Sequence, residues 1–230
     1  FLRRWSDGDK TRFEGLFWGS LALGLAVLSK ANGALIGVGL ALFILISARH
    51  RDLLRHWQLY AAAALALAIQ APVVLWNLQH NWANFGFLLV ERHAAPAPTP
   101  FPFVWFIAYL VGLWFFFSPI LVPAGVRAVR AGLLSGQGFL LLTAGLSTLL
   151  FLGVSIRSSV MFHWNLVAYL ALLPLVATAV QSRLVIFVQT LFGLAFFALV
   201  AVNFNLVPVL HLAGRHDWSA EWSYGFDQVA

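Results

Sequence analysis

Residues 60–85 read YAAAALALAIQAPVVLWNLQHNWANF. The first part, from Tyr60 to Leu75, is apolar on every side and lacks the period-2 alternation of a barrel strand, so it reads as a helix in a non-aqueous medium. It then stops in Trp76, Asn77, Gln79, His80, Asn81 and Trp82. Amides, an imidazole and two indoles packed into that spacing place the helix end at a water interface and raise the question of what they do there.

The rest of the chain has the same character. Hydrophobic residues make up 61% of it and charged residues 10%, against roughly 25% charged in a typical soluble domain, and the mean hydropathy is +0.86. This is the composition of an integral membrane protein. The formal charge of +6 is spread in ones and twos between apolar runs and forms no stripe able to track phosphates, which excludes nucleic acid as a partner. With no Cys, disulfide frameworks and thiolate metal sites are excluded.

Seven apolar segments are expected, at about 14–29, 33–48, 58–75, 102–123, 138–154, 166–181 and 184–206. The fold class is therefore all-α, a polytopic transmembrane helix bundle, with residues 1–206 as the transmembrane helical domain and 207–230 beginning an extracytoplasmic C-terminal segment. The start at Phe1, with the apolar content beginning only after FLRRWSDGDKTRFEG, gives the look of a piece of a longer polypeptide. A signal peptide has a similar charge profile, but the next apolar run follows Lys30–Gly33 at once, which suits a tight helical hairpin better than a cleavage site. Several segments are nearer 16 residues than 20, short for a ~30 Å hydrocarbon core at ~1.5 Å per residue. Gly15/Gly19 and Gly33/Gly37 are spaced for close helix contacts.

Charge sorts the loops. With the N-terminus in the cytoplasm, the inner side holds Arg3, Arg4, Lys10, Arg12, Arg49, Arg51, Arg55, Arg127, Arg130 and Arg183, and the outer side only Lys30, Arg92, Arg157 and Arg215. Ten against four obeys the positive-inside rule and leaves the C-terminus outside. Trp57, Trp76, Trp105, Trp164 and Trp218 lie near segment ends, as an interfacial aromatic belt requires. Topology does not account for the outer cations, each of which has amides, imidazoles or aromatics for company: Lys30 with Asn32; Asn77, His80 and Trp82; Glu91, Arg92 and His93; Arg157; and His163, Trp164 and Asn165. Solvated loops and interfacial anchors are one reading of each taken singly. Together they suit an anion held at the membrane surface, where a cation beside a low-dielectric wall acts more strongly than in bulk water. Asn and Trp would serve a sugar through hydroxyl hydrogen bonds and ring stacking.

Three stretches carry a resemblance: LGLAVLSKANGALIGVGLALFIL, PVVLWNLQHNWANFGFLLVERH and SIRSSVMFHWNLVAYLALLP. The chain resembles polytopic bacterial glycosyltransferases of the GT-C superfamily, related to protein O-mannosyltransferases and lipid A sugar transferases. The shared features are Ser29 and Lys30 after a short apolar run, the block of Trp76, Asn77, His80, Trp82 and Phe85 with Arg92 downstream, and Trp164 leading to Ala168 and Tyr169. The family's N-W-P appears here as H-W-N, with His163 and Asn165.

The resemblance implies transfer of a sugar from a polyprenyl-phosphate donor to a hydroxyl of a glycan, lipid or protein acceptor, at the outer face of the bacterial cytoplasmic membrane. It also implies a catalytic Asp ahead of Phe1, so the catalytic residue is not identified within this chain. Lys30, Arg92 and Arg157 are the candidates for the leaving phosphate, and His80 and His163 for donating to it or positioning the sugar; Asn77, Trp82, Trp164 and Asn165 complete the substrate-binding set. Glu91, the one acidic residue in the outer loops before the tail, is a weak candidate base, since a carboxylate beside Arg92 or Lys30 is a weaker base.

No cofactor is expected. The seven His show no H-E-x-x-H spacing, and HLAGRHD, with His211, His216 and Asp217, reads as a solvated tail before it reads as a divalent-ion site. Alternating Pro96, Pro98, Pro100 and Pro102 make an extended spacer or a strap. Two other functions fit the same composition: a transporter or flippase for lipid-linked intermediates, and a non-catalytic membrane scaffold. Against the transporter, the segment interiors hold no Asp, Glu, Lys, Arg or His, only Gln70 and a few Ser, Thr and Asn.

Overall fold

The computed structural model describes residue 2 and residues 13–90, 103–134 and 138–205. Everything described is helix or the turns between helices. The helices are α1 (Glu14–Ser29), α2 (Ala34–Ile46), α3 (Trp57–Ala68), α4 (Ala71–Gln79), α5 (Ala83–Leu89), α6 (Val104–Phe117), α7 (Val122–Leu134), α8 (Gly138–Ser155), α9 (Leu166–Ala179) and α10 (Arg183–Asn205), with short 3-10 turns at Ala31–Gly33, Arg51–Arg55, Pro119–Leu121 and Phe162–Asn165. The chain divides into two compact units, Phe1–Ala179 and Val180–Ala230. In the second unit the described residues form α10, a single apolar helix.

In the first unit α1 packs on α3, α2 on α8, and α9 on both α8 and α7, with α6 against α8. Much of the outward surface is Leu, Phe and Val, for example Leu67 at 72% exposed and Leu149 at 68%. That is the surface of a body solvated by lipid, where helix association rests on close packing and interhelical hydrogen bonds, not on the hydrophobic effect. Glycines set the closest approaches. A Cβ at Gly33 would lie 2.8 Å from the Ala26 carbonyl carbon, and one at Gly24 would meet the Ile69 side chain at 2.6 Å. Of the expected spacings, Gly33/Gly37 takes part in packing, while Gly19 has open space around it.

Helix lies within each of the seven expected apolar segments, but as membrane crossings the described residues give two to four candidates. Among the described residues two helices are long and apolar enough to cross a membrane, Gly138–Ser155 and Arg183–Asn203, and up to four crossings result if each bent pair counts as one. Glu14–Ser29, Ala31–Ile46 and His163–Ala179 are shorter apolar helices. The breaks have local causes. Pro72 has no N–H to give and sits near the start of α4, so the helix is interrupted at Ile69–Gln70 and α3 and α4 meet at 46°. Gln70 Nε2 donates to Gly24 O at 2.7 Å, tying the break to α1.

At Ser118, φ is 72°, in the left-handed region, and the following Pro119 keeps it from helical geometry. The expected segment 102–123 therefore stops at Phe117, and the next helix leaves at 74°. Arg127 and Arg130, expected in a loop, stand exposed on α7, whose Ala124, Gly125, Ala128 and Gly132 are buried, Gly125 against Phe117 and Gly132 against Leu141, while the helix packs on α9.

Candidate functional site

Two of the sequence-predicted groups come together across more than 130 residues. At the end of α1, Lys30 adopts extended backbone, φ −156° and ψ 123°, closing the helix with its N–H on Ala26 O at 3.0 Å. Gly33 N–H returns to Lys30 O at 2.8 Å, making the 3-10 turn that starts α2. The exposed Lys30 ammonium reaches His163 O at 3.5 Å, the long limit of a hydrogen bond, and Asn32 Nδ2 donates to Trp164 O at 2.9 Å. The S-K-A-N turn and the F-H-W-N turn are thereby stitched together. The imidazole of His163 stays exposed at this junction, and Arg157 is exposed on the same α8-to-α9 connection.

Beneath the junction the polar groups face inward. Asn165 is 0% exposed: its Oδ1 accepts from Ser147 Oγ at 2.7 Å and its Nδ2 donates to Thr148 Oγ1 at 3.2 Å. Trp164, 9% exposed, packs against Phe151 with ring centroids 6.0 Å apart and in one cluster with Tyr109. Trp164 therefore does not join an interfacial belt, and its ring walls the bundle instead of offering a face to a ligand. Asn165 fastens the turn to α8, both ends of its amide being taken. Sequence reasoning passed over Ser147, Thr148 and the buried Thr143 and Ser155. Their signal was available: Thr143, Ser147 and Ser155 fall on one helical face of an otherwise apolar run.

The W-N-L-Q-H-N-W stretch forms a second, compactly pinned unit. Asn81 and Trp82 both have positive φ, 51° and 60°, a conformation costing roughly 1–2 kcal/mol for a residue with a side chain, though Asn tolerates it best. Asn77, 0% exposed, holds them there. Its Oδ1 accepts Phe85 N–H at 3.2 Å, capping α5 from the preceding helix because Trp82, at the cap position, supplies no side-chain bond. Its Nδ2 donates to Val73 O at 2.9 Å and its carbonyl takes Trp82 N–H at 2.8 Å.

The result displays His80 stacked on Trp76, centroids 4.1 Å apart and planes 11° apart, with Trp82 beside Phe85. His80 Nδ1 donates to Trp76 O at 2.8 Å, so in the neutral ring Nε2 is the outward acceptor. Among the predicted residues, then, Lys30, His163 and Arg157 share one end of the bundle, His80 and Trp82 are presented by the α4–α5 turn, and Asn77 and Asn165 are internal. Glu91, Arg92, His93, the proline stretch 94–102, His211 and His216 lie outside the described residues.

A cavity of about 750 Å³ opens elsewhere, between the start of α1, the end of α2, the start of α3 and Phe139. Its hydroxyls, Ser20 and Tyr60, are already bonded to Phe17 O and Leu54 O at 2.8 Å. None of the candidate site residues lines it, and its apolar wall does not suit a sugar or a phosphate. Among the described residues no three His, Asp or Glu side chains gather as a metal site.

Residues 4–76 match the family model of dolichyl-phosphate-mannose-protein mannosyltransferases. The match covers the S-K-A-N turn, α1 to α3 and α4 as far as Trp76, less than half of the chain, and ends before His80 and the 162–165 turn. It points to a membrane glycosyltransferase of mannosyltransferase type. No curated protein and no solved structure matches the chain.

Proposed function

We propose that the protein is a membrane glycosyltransferase, moving a sugar from a polyprenyl-phosphate donor to an acceptor hydroxyl at the extracytoplasmic face of a bacterial cytoplasmic membrane. One observation carries the reading: Lys30, inside the stretch matching the mannosyltransferase family, is held against the turn bearing His163 with Arg157 on the same connection. Negative charge grows on the leaving lipid phosphate as the anomeric carbon is attacked. An ammonium fixed where that charge develops lowers the barrier without reorganising. The acceptor is a glycan, a lipid or a protein hydroxyl, and a carboxylate base takes its proton.

The test uses full-length protein in proteoliposomes with radiolabelled polyprenyl-phosphate mannose. Lys30→Ala lowers turnover by at least about tenfold, and Lys30→Arg restores part of it. Near-normal turnover in Lys30→Ala removes the phosphate assignment, while donor crossing the bilayer without transfer makes the protein a carrier.

A further inference from the structure

Inside the bundle below the Lys30 junction, three polar atoms have no partner among the described residues: Tyr109 OH and Trp105 Nε1 on α6, and Tyr169 OH on α9. Tyr109 is 2% exposed, and Trp105 lies one turn away on the same face of α6. Tyr169 stands close enough to Tyr109 to act on it electrostatically. Asn165 approaches the Tyr169 hydroxyl without reaching hydrogen-bond geometry. Tyr109 also packs with Trp164, whose carbonyl receives Asn32. The unfilled groups thus sit one side-chain layer beneath the turn that Lys30 touches.

A stranded hydroxyl in an apolar surround costs its full desolvation, and Phe would fill nearly the same space without it. Three such groups from two helices that both pack on the 162–165 turn point to an occupant that supplies their bonds. The indole N–H needs an acceptor and the phenols take either role, so the occupant must carry several groups that both donate and accept. Resting on the glycosyltransferase reading, we propose that Trp105, Tyr109 and Tyr169 form the inner wall of a polyhydroxyl pocket, filled by the donor's sugar when its phosphate is at Lys30. The three atoms are sealed in this structure, so filling them requires the side chains around them to move.

The experiment compares wild type, Tyr109→Phe and Tyr169→Phe as full-length protein in proteoliposomes, with polyprenyl-phosphate mannose and its monodeoxy analogues as donors. Melting temperature is recorded with the intact donor and with sugar-free polyprenyl phosphate. Each variant is expected to lose about 10- to 100-fold in kcat/KM while its unliganded melting temperature does not fall. At least one deoxy donor is turned over equally by wild type and Tyr109→Phe, because the same bond is missing in both. The extra thermal shift that the sugar adds in wild type disappears in the variants.

Unchanged kcat/KM in both variants, with transfer otherwise normal, overturns the pocket, the occupant then being water only. A fall in the unliganded melting temperature overturns it too, because the hydroxyls are then structural. If wild type transfers no sugar yet keeps a Tyr-dependent, sugar-dependent shift, the pocket stands and the transferase reading falls.

Discussion

Replacing Asn77 with Ala tests whether the W-N-L-Q-H-N-W turn is held from inside. The substitution deletes the Oδ1 cap on Phe85 N–H and the Nδ2 bond to Val73 O. A lost helix cap costs about 1 kcal/mol, and a lost internal hydrogen bond about 0.5–1.5 kcal/mol. The left-handed Asn81 and Trp82 store energy that favours opening. A net loss of about 2 kcal/mol corresponds to roughly 30-fold more frequent opening. Hydrogen–deuterium exchange of peptides spanning residues 80–89, with protein in lipid nanodiscs, reads that directly. Exchange there should accelerate about 30-fold, while peptides from the middle of α8 keep their rate. Asn77→Asp keeps the acceptor but loses the donor, and should do comparable damage by placing a carboxylate against Val73 O. Exchange at 80–89 within about threefold of wild type in Asn77→Ala would refute the pin, since it would leave the positive φ values maintained by something other than this amide.

Gly33→Ala puts a methyl 2.8–2.9 Å from the backbone of Ala26 and Val27, which cannot yield as a side-chain tip can. It should lower stability by about 1–3 kcal/mol and loosen the Lys30 turn, seen as a drop in the melting temperature of detergent-solubilised protein; an unchanged melt contradicts the packing. For orientation, the absence of Cys permits single Cys residues at Gly86, which has open space around it, and at Val126, 47% exposed. An impermeant thiol reagent applied to intact cells should label the first and spare the second until the membrane is breached, and the opposite pattern reverses the assigned sidedness. Ala128, 3% exposed, would be spared for burial alone and cannot serve.

Helices were legible because their signal is composition over a long window: each expected apolar segment coincides with helix. Their breaks were less so. Pro72 and Pro119 were visible, yet a proline announces a kink without its angle, which depends on what receives the freed groups. Gln70 finds Gly24 O, and Ser118 goes left-handed. The pairing of Lys30 with the His163 turn was expected in kind, as loop cations gathering at one end. His80 was expected at the same place, and the structure shows it stacked on Trp76. Tyr109 was passed over as one aromatic among several in a greasy run, and Tyr169 was noted only for the family resemblance; only their burial in separate helices makes the stranded hydroxyls apparent.

Asn77 and Asn165 show why polar residues near a helix end divide into two kinds that look alike in sequence. An irregular turn at the margin of a bilayer has backbone groups that water serves poorly, so the chain must supply partners itself. Asn carries a donating NH2 and an accepting carbonyl oxygen on a short stem and can cap a helix in one direction while bonding a carbonyl or hydroxyl in another. Asn77 does this and Asn165 bonds two hydroxyls, both at 0% exposure, although an amide with the same capacity, turned outward, would equally suit a sugar. Lys and His beside them lack that double use in the turns: Lys30 donates through a flexible stem, and His80, once Nδ1 is given to Trp76 O, keeps Nε2 outward. The amides are thus the residues that build the turns, and the cations and imidazoles are those the turns display. Chemistry proposed for this protein is accordingly assigned to Lys30, Arg157, His80 and His163, with the asparagines acting on it through the geometry they hold.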